Sequence, residues 1–365
     1  MRIARAHALQ IQSMGGELRL TSATARQWYK GKLDPRLVMF LSKLGKWTQP
    51  DSAATTLAGM VGITHERALE EISRLERAEL VIRETPEMIA LTKAQHIWGQ
   101  AGWAAAFEYQ VASDSAERLD YTNQTGQQQD VGLMHQQRRL GPPAPSHYLD
   151  LLHHPASSLP QPRSTLSVDY GEVFRAANDQ QPPAGVAPMQ RLSDLLYYSF
   201  GQTGSKRLPV SGTHVMKTSP SGGSRHPTEA YVILFAENSQ GSVSHYSVRN
   251  HALEPLGKEV SQQWVDDHIL EKPEWITGPL SMMIILTSVA ERNMHRYREN
   301  FTYRPLHHDV GHVIETTNLV AHSLGYTTLA GYSLMDNAVS ELLGNPRISE
   351  PSMGFIAVRE SKSWS

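Results

Sequence analysis

Apolar residues in the second half of the chain fall into short unbroken runs. Glu229-Ala230-Tyr231-Val232-Ile233-Leu234-Phe235, Met282-Met283-Ile284-Ile285-Leu286 and Phe355-Ile356-Ala357-Val358 are the clearest. Runs of this length without polar alternation predict buried strands. Val243 to Leu256 reads as a hairpin turning at Asn250-His251, with His245-Tyr246 on one strand and Leu253-Glu254-Pro255-Leu256 on the other. Between these runs the apolar period changes. Leu192, Leu195 and Leu196 form one helical stripe, and Val310, Val313, Ile314, Thr317, Val320 and Leu324 form another, ended by Gly325. Tyr326 to Ser333 predicts a strand running into a glycine turn, and Val339 to Leu343 a short helix. Strands interleaved with helices place this half in the α+β class.

The first third is more mixed in polarity. Ala53 to Val61 predicts a short helix closed by Gly62. Thr64 is placed as an N-cap, and Ala68, Leu69, Ile72, Leu75 and Leu80 follow on one helix face. Val81-Ile82-Arg83 and Met88-Ile89-Ala90-Leu91 read as a hairpin around Glu84-Thr85-Pro86-Glu87. Helix, turn, helix and hairpin resemble a winged helix. The second helix carries Glu66, Glu70, Glu71, Glu76 and Glu79 against Arg67, Arg74 and Arg77. An acidic helix is repelled by phosphates, so docking of a protein or peptide fits this module better than nucleic acid.

From about Ser113 the pattern weakens. Gln124 to Asp130 is polar and reads as nearly structureless, Gly141-Pro142-Pro143-Ala144-Pro145 as stiff and extended, and His153-His154 as a surface pair. The expected organisation is a partner-binding domain over 1–112, a linker over 113–162 and a second domain over 163–365.

Composition narrows the chemistry. Among 365 residues there is no cysteine, which excludes disulfides, thiolate nucleophiles and Cys-based metal sites. The net charge is -2, so no global basic field draws nucleic acid or a membrane surface. No run has the apolar length of a bilayer span, and Met1-Arg2-Ile3-Ala4-Arg5 is not followed by an apolar stretch. The expectation is a cytoplasmic protein with no membrane or nucleic-acid partner.

Candidate chemistry centres on Ser221-Gly222-Gly223-Ser224-Arg225, directly before the first buried strand. A glycine pair flanked by serines makes a tight turn with N–H groups free for a ligand. Arg225 adds a fork of donors suited to a phosphate or a flavin carbonyl. Arg163-Ser164 sets a guanidinium beside a hydroxyl, a pair that can share one phosphate. The window Arg292 to Arg304 is rich in arginine, tyrosine and histidine, and includes His295-Arg296-Tyr297. His308 and His312 stand four apart with Asp309 between them. The order is not His-Glu-x-x-His and no third ligand is visible, so no metal is expected. Asp309 is instead expected to cap a helix.

In order and spacing, several stretches resemble the SagB-type, nitroreductase-like dehydrogenases, over roughly Pro142 to Val358. They are Leu195 to Thr203, Ser221 to Tyr231, His245-Tyr246, His251 to Leu256, Gly311-His312, Ala330-Gly331-Tyr332 and Asp336. The resemblance implies a nitroreductase-like FMN fold, with a mixed sheet and flanking helices, built as a homodimer with FMN at the interface. It also implies oxidation of thiazoline or oxazoline rings to thiazoles or oxazoles in a ribosomally made peptide. The partners it implies are the precursor peptide and a cyclodehydratase complex, held by the N-terminal region. Arg163 and Ser164 then take the phosphate-binding place, where the family usually has Arg-Arg-Ser. Ser221 to Arg225 and Ala330-Gly331-Tyr332 line the flavin, and Arg359 lies near its phosphate. The family's catalytic Lys-Tyr pair matches Arg296-Tyr297. A guanidinium stays protonated in the working pH range, so Tyr297 is the expected base and His295 its substitute. Two other readings stay open: an NAD(P)H-dependent flavin reductase of a small molecule or dehydro-amino-acid residue, and a non-catalytic scaffold or regulator.

Overall fold

A computed structural model describes residues 1–7, 9–14, 17–22, 34–114, 119–151, 155–166, 171 and 182–361. The histidine pair 153–154 lies outside them. The chain divides into one unit of Met1–Arg118 with Glu299–Phe301, and a second of Leu119–Arg298 with Thr302–Ser365.

The first unit opens with β1 (Ile3–Arg5), β2 (Gln10–Met14) and β3 (Glu17–Thr21), followed by α1 (Pro35–Lys43), α2 (Pro50–Val61) and α3 (His65–Arg77). Gly62 ends α2 with φ 76°, and the Thr64 hydroxyl accepts from Arg67 N, as the sequence predicts. Leu37, Phe40, Leu57, Ile72 and Leu75 close a core over these helices. The expected hairpin is different. β4 (Val81–Arg83) pairs antiparallel with β1 rather than with the segment that follows it. Residues read as its second strand lie in α4 (Pro86–Gln100), where Thr85 caps Met88 N and Pro86 occupies the first turn. A capping hydroxyl followed by proline starts helices, and it outweighs the β-propensity of a four-residue apolar run. α5 (Ala104–Asp114) completes the unit.

The second unit begins with α6 (Gln124–Leu140), the stretch read as structureless. The Asn123 side chain caps it by accepting from Gly126 N. Its glutamines are good helix formers, so the low hydrophobicity concealed a helix and did not exclude one. β5 (Ser157–Ser158), α7 (Pro188–Phe200) and the hairpin β6 (Gln202–Leu208) and β7 (Gly212–Lys217) lead to the main sheet. That sheet is built from β8 (Thr228–Phe235), β9 (Gln240–Ser247), β10 (Ala252–Ser261), β11 (Met282–Ser288), β12 (Tyr326–Gly331) and β13 (Ser352–Glu360) together with β5. The strand order is β12-β13-β11-β8-β9-β10-β5. The sheet expected as mixed is antiparallel at each of these pairings within the chain.

Both faces of this sheet are covered, which explains the unbroken apolar runs. Val232, Ile284 and Ile356 face Leu192, Leu195 and Leu196 of α7 and Val310, Val313 and Ile314 of α10 (Tyr303–Ser323). Ile233, Ile285 and Phe355 face Val265 of α8 (Gln262–His268) and Val339, Leu342 and Leu343 of α11 (Asp336–Leu343). Successive strand residues point to opposite faces, so a sheet between two helical layers needs apolar side chains at every position.

Candidate functional site

The glycine turn lies where expected, immediately before β8. Gly222–Ser224 form a single 3-10 turn with φ of 61° at Gly223 and 52° at Ser224. Its anchor is Asp309, which is not a helix cap. α10 starts six residues earlier, at Tyr303, with Pro305 in its first turn, where a missing N–H costs nothing. Asp309 therefore sits inside the helix. Its carboxylate accepts from the Ser221 hydroxyl at 2.6 Å and from Gly222 N at 2.9 Å. The Ser221 oxygen in turn accepts from His226 N at 2.8 Å. Burial pushes the Asp309 carboxyl above its ordinary range, against the pull of these two donors.

Tyr297 comes directly onto the turn. A Cβ at Gly223 would stand 2.2 Å from the Tyr297 hydroxyl oxygen. Glycine is required here twice, by the positive φ and by the phenol. The Arg296 guanidinium lies 5.0 Å from the Tyr297 ring centroid. One of its terminal nitrogens donates to both oxygens of Asp130, at 2.6 and 2.7 Å. Burial lowers the Arg296 pKa, but the Asp130 hydrogen bonds and charge outweigh it, so the guanidinium is held above its already high value. Burial, with Arg298 and Arg225 nearby, holds His295 below its ordinary value. His295, Arg296 and Tyr297 follow a short helix, α9 (Glu291–Met294), whose Arg292 donates to His226 O at 2.8 Å and pairs with Glu229 at 2.5 Å.

Arg292, His295 and Arg296 line a cleft of about 670 Å³, and Tyr297 follows them in the chain. Its walls include the C-terminal half of α6, the extended Gly141–Tyr148 stretch, the β6–β7 turn, Arg225 and α9 with the residues after it. No acidic residue lines it among the described residues. Arg225 is 8% exposed. Its Nε donates to Gly223 O at 3.0 Å and its Nη2 lies 3.2 Å from the His214 ring nitrogens. Burial lowers its pKa, and neither partner is a carboxylate.

The other expected residues stand apart from this cluster. Arg163 is held by Asp194 on α7, through its backbone N at 2.9 Å and its Nε at 2.5 Å, and Ser164 beside it is exposed. Ala330 and Gly331 lie on β12, separated from β8 by two strands. Gly331 packs on Phe355, whose ring stands 2.6 Å from where a Cβ would be, and Tyr332 is exposed. Arg359 bonds Thr327 and Thr277. The register puts Arg359 next to Val358, which aligns with Met282 and Leu234, whereas the glycine turn precedes Thr228. Six strand residues, about 20 Å, therefore lie between Arg359 and the turn.

Sequence reasoning missed a buried ionic cluster under the turn. His245, read as part of a hairpin without chemistry, stands 2.9 Å from Glu229 and 3.0 Å from Glu254 through its two ring nitrogens. Burial opposes its charge, but the two carboxylates overcome it and raise its pKa to about 9. Burial likewise opposes ionisation of Glu229, yet Arg292, His245 and Lys217 pull it down to about 2. Burial lowers Lys217, on β7, to about 8 despite Glu229. The available signal was a Glu and a His inside strands read as buried, since such groups have to be partnered, and the register sets His245 opposite Tyr231 and Glu254.

The comparisons with known proteins bear on the same segment. The nitroreductase family model matches residues 202–358. This segment is a nitroreductase-family domain. The trifolitoxin-processing protein TfxB of Rhizobium leguminosarum bv. trifolii is 26% identical over 267 residues, 70% of each chain. A nitroreductase-type crystal structure from Anabaena variabilis is 22% identical with a TM-score of 0.45, over 63% of this chain and 46% of that one. The E. coli microcin synthetase McbBCD complex with truncated pro-MccB17 contains a chain 16% identical with a TM-score of 0.40, over 59% of this chain and 79% of that one. No helix among the described residues is long and apolar enough to cross a membrane.

Proposed function

We propose that this protein is an FMN-dependent dehydrogenase of the SagB type, which oxidises thiazoline or oxazoline rings in a ribosomally made peptide. The observation that carries the reading is the Tyr297 hydroxyl seated on the Gly222–Ser224 turn, next in the chain after His295 and Arg296 of the cleft wall, inside a nitroreductase-family domain. The similarity to a trifolitoxin-processing protein supports a peptide as substrate.

The residues present suit a flavin. The Ser221–Ser224 turn, fixed by Asp309, offers backbone donors, and Ser164 with the rest of the Arg163 guanidinium, whose Nε is taken by Asp194, would hold the phosphate. FMN would supply the hydride acceptor. Tyr297 takes the ring proton. Arg296 stays a cation, locked by Asp130, and positions the phenol and takes no proton itself. The extended wall from Gly141 to Ser146 and the arginine-rich floor orient the peptide.

The roughly 20 Å between the turn and Arg359 argues for a homodimer. One flavin cannot span both within one chain, so a second copy completes the site. The first unit is assigned to the precursor peptide or a cyclodehydratase partner.

The test is the visible spectrum of the purified protein and mass analysis of the released chromophore. A yellow protein releasing about one FMN per subunit is expected. Thiazoline peptide should then be oxidised with oxygen uptake and no NADPH. A colourless protein that takes up no FMN defeats the reading, and NADPH consumption without ring oxidation replaces it with a reductase.

A further inference from the structure

The helix α6 has two different faces. Asp130, Met134 and Gln137 share one side at helical spacing, and Met134 and Gln137 line the cleft. The opposite side carries Gly132, His135, Gln136 and Arg139. With Arg138 at the boundary, these residues line an open recess of about 650 Å³. The turn assigned to the flavin adjoins the cleft through Arg225, on the first side. The body of the helix therefore separates the recess from the cofactor site. Arg138 and Arg139 are exposed, and no acidic residue lines the recess among the described residues. Asp130 is the one acid on α6, and it is committed to Arg296. In a chain of net charge -2 this is a local concentration of positive charge. Two further observations point to a ligand. Gly132 stands inside the helix, where glycine is destabilising, yet a Cβ there would meet nothing within 4 Å. Packing within the described residues therefore gives no reason for glycine, whereas a chain lying against the bare backbone does. The flanks of the same face are apolar and open to solvent: Val131 is 39% exposed on one side, and Leu133 and Leu140 are 45% and 69% exposed on the other.

We propose that the outer face of α6 docks an acidic, partly apolar segment of the precursor peptide, outside the ring that is oxidised. This inference rests on the peptide-oxidation reading and names a part of the peptide that the protein holds. The occupant follows from the chemistry of the face. Arginine side chains match carboxylates in charge and shape, and the gap at Gly132 lets an extended chain approach the helix closely. Valine and leucine on the flanks add apolar contact, which a peptide uses. A nucleic acid needs a longer basic track and gains little from such flanks. Arg138 lines both the cleft and the recess, so the peptide passes from one to the other on that side. An α-helix is about 10 Å across, so the path round it takes about five extended residues. The acidic segment is therefore placed about five residues or more from the ring.

The experiment uses the full-length protein and fluorescein-labelled synthetic peptides that contain no ring. One alternates Asp and Glu with Leu and Val, a second has Gln at the acidic positions, and a third has Lys there. Fluorescence anisotropy at low salt measures affinity without turnover. The acidic peptide should bind about tenfold more tightly than the Gln peptide, the Lys peptide should bind most weakly, and added salt should shrink the difference. Arg139→Glu should erase the preference. Gly132→Gln should weaken the acidic peptide about tenfold while the melting temperature holds or rises, because a helix former replaces glycine where a Cβ has room. That combination separates a blocked site from a damaged fold. Equal affinities for the acidic and Gln peptides, or an unchanged preference in both variants, overturns the proposal. So does an oligonucleotide of equal charge that binds more tightly than the acidic peptide. Loss of a dimer in Gly132→Gln without any peptide present assigns the face to a second copy and overturns it too. The second arm joins the acidic segment through a five-residue spacer to a thiazoline peptide, and KM should fall about tenfold with kcat unchanged relative to the thiazoline peptide alone. Docking without ring oxidation by flavin-loaded protein defeats the dehydrogenase reading and leaves the docking face. Oxidation with the same KM whether or not the segment is attached, together with equal affinities in anisotropy, does the reverse.

Discussion

A single methyl group at position 223 tests the centre of the site. Gly223→Ala places carbon 2.2 Å from the Tyr297 hydroxyl and forces a side chain onto φ 61°. It should cost about 2 kcal/mol in unfolding free energy. Adding Tyr297→Phe removes the oxygen contact but not the φ strain, so the double variant should recover part of the loss in denaturant melts. Tyr297→Phe alone should lower ring oxidation roughly 10²- to 10⁴-fold while flavin absorbance persists. An unchanged rate would move the base elsewhere, with His295 of the cleft wall next in line. The glycine pair and Tyr297 were legible because their residue types are distinctive. Asp309 was visible but misassigned, because its partners lie 87 and 88 residues away and no local pattern announces them. Asp309→Ala should weaken FMN binding about tenfold in fluorescence titrations, whereas Asp309→Asn, which keeps an acceptor, should weaken it less.

At the scale of elements, β8, β9 and β10 are joined by the Glu229–His245–Glu254 bridge as well as by their backbone ladders. The pH dependence follows from the shifted values. His245 is raised to about 9 from an ordinary 6.5, so its contribution is complete below 6.5 and is lost as pH climbs through 9. Glu229 is lowered to about 2, so its contribution is present above the ordinary carboxylate range and is lost as pH falls towards 2. The melting temperature should therefore fall between pH 7 and 10. In His245→Gln that fall should be shallower, with a loss of about 3 kcal/mol at pH 6 from the stranded carboxylates. Equal alkaline slopes in the two proteins would remove His245 as the titrating group. α6 makes the opposite point about legibility. Gly126 is its one buried residue among those described, so its sequence has no apolar stripe to read. A tertiary ion pair, Asp130 to Arg296, holds it at the cleft. Asp130→Asn should speed hydrogen exchange over 124–140 and leave the sheet strands protected.

At the scale of the whole molecule, the proposed site is divided. The glycine turn and Tyr297 gather at one end of the sheet, while Arg359 sits about 20 Å away at the other. If two copies share a flavin, a subunit with Gly223→Ala and one with Arg359→Ala should restore flavin binding when co-expressed, although neither does so alone. Sedimentation should report a dimer. A monomer that binds FMN fully would defeat the shared site.

The sequence by itself determined what depends on near neighbours and on residue type. Unbroken apolar runs marked the central strands, helical stripes marked α7 and α10, and a glycine pair before a strand marked the turn, since each is a local consequence of backbone geometry and burial. The tertiary structure alone decided the antiparallel directions of the sheet, the pairing of β1 with β4, the Asp309 anchor and the Asp130 lock. These are relations between residues tens to hundreds of positions apart. They form when the folded core excludes water and every buried charge must find a partner.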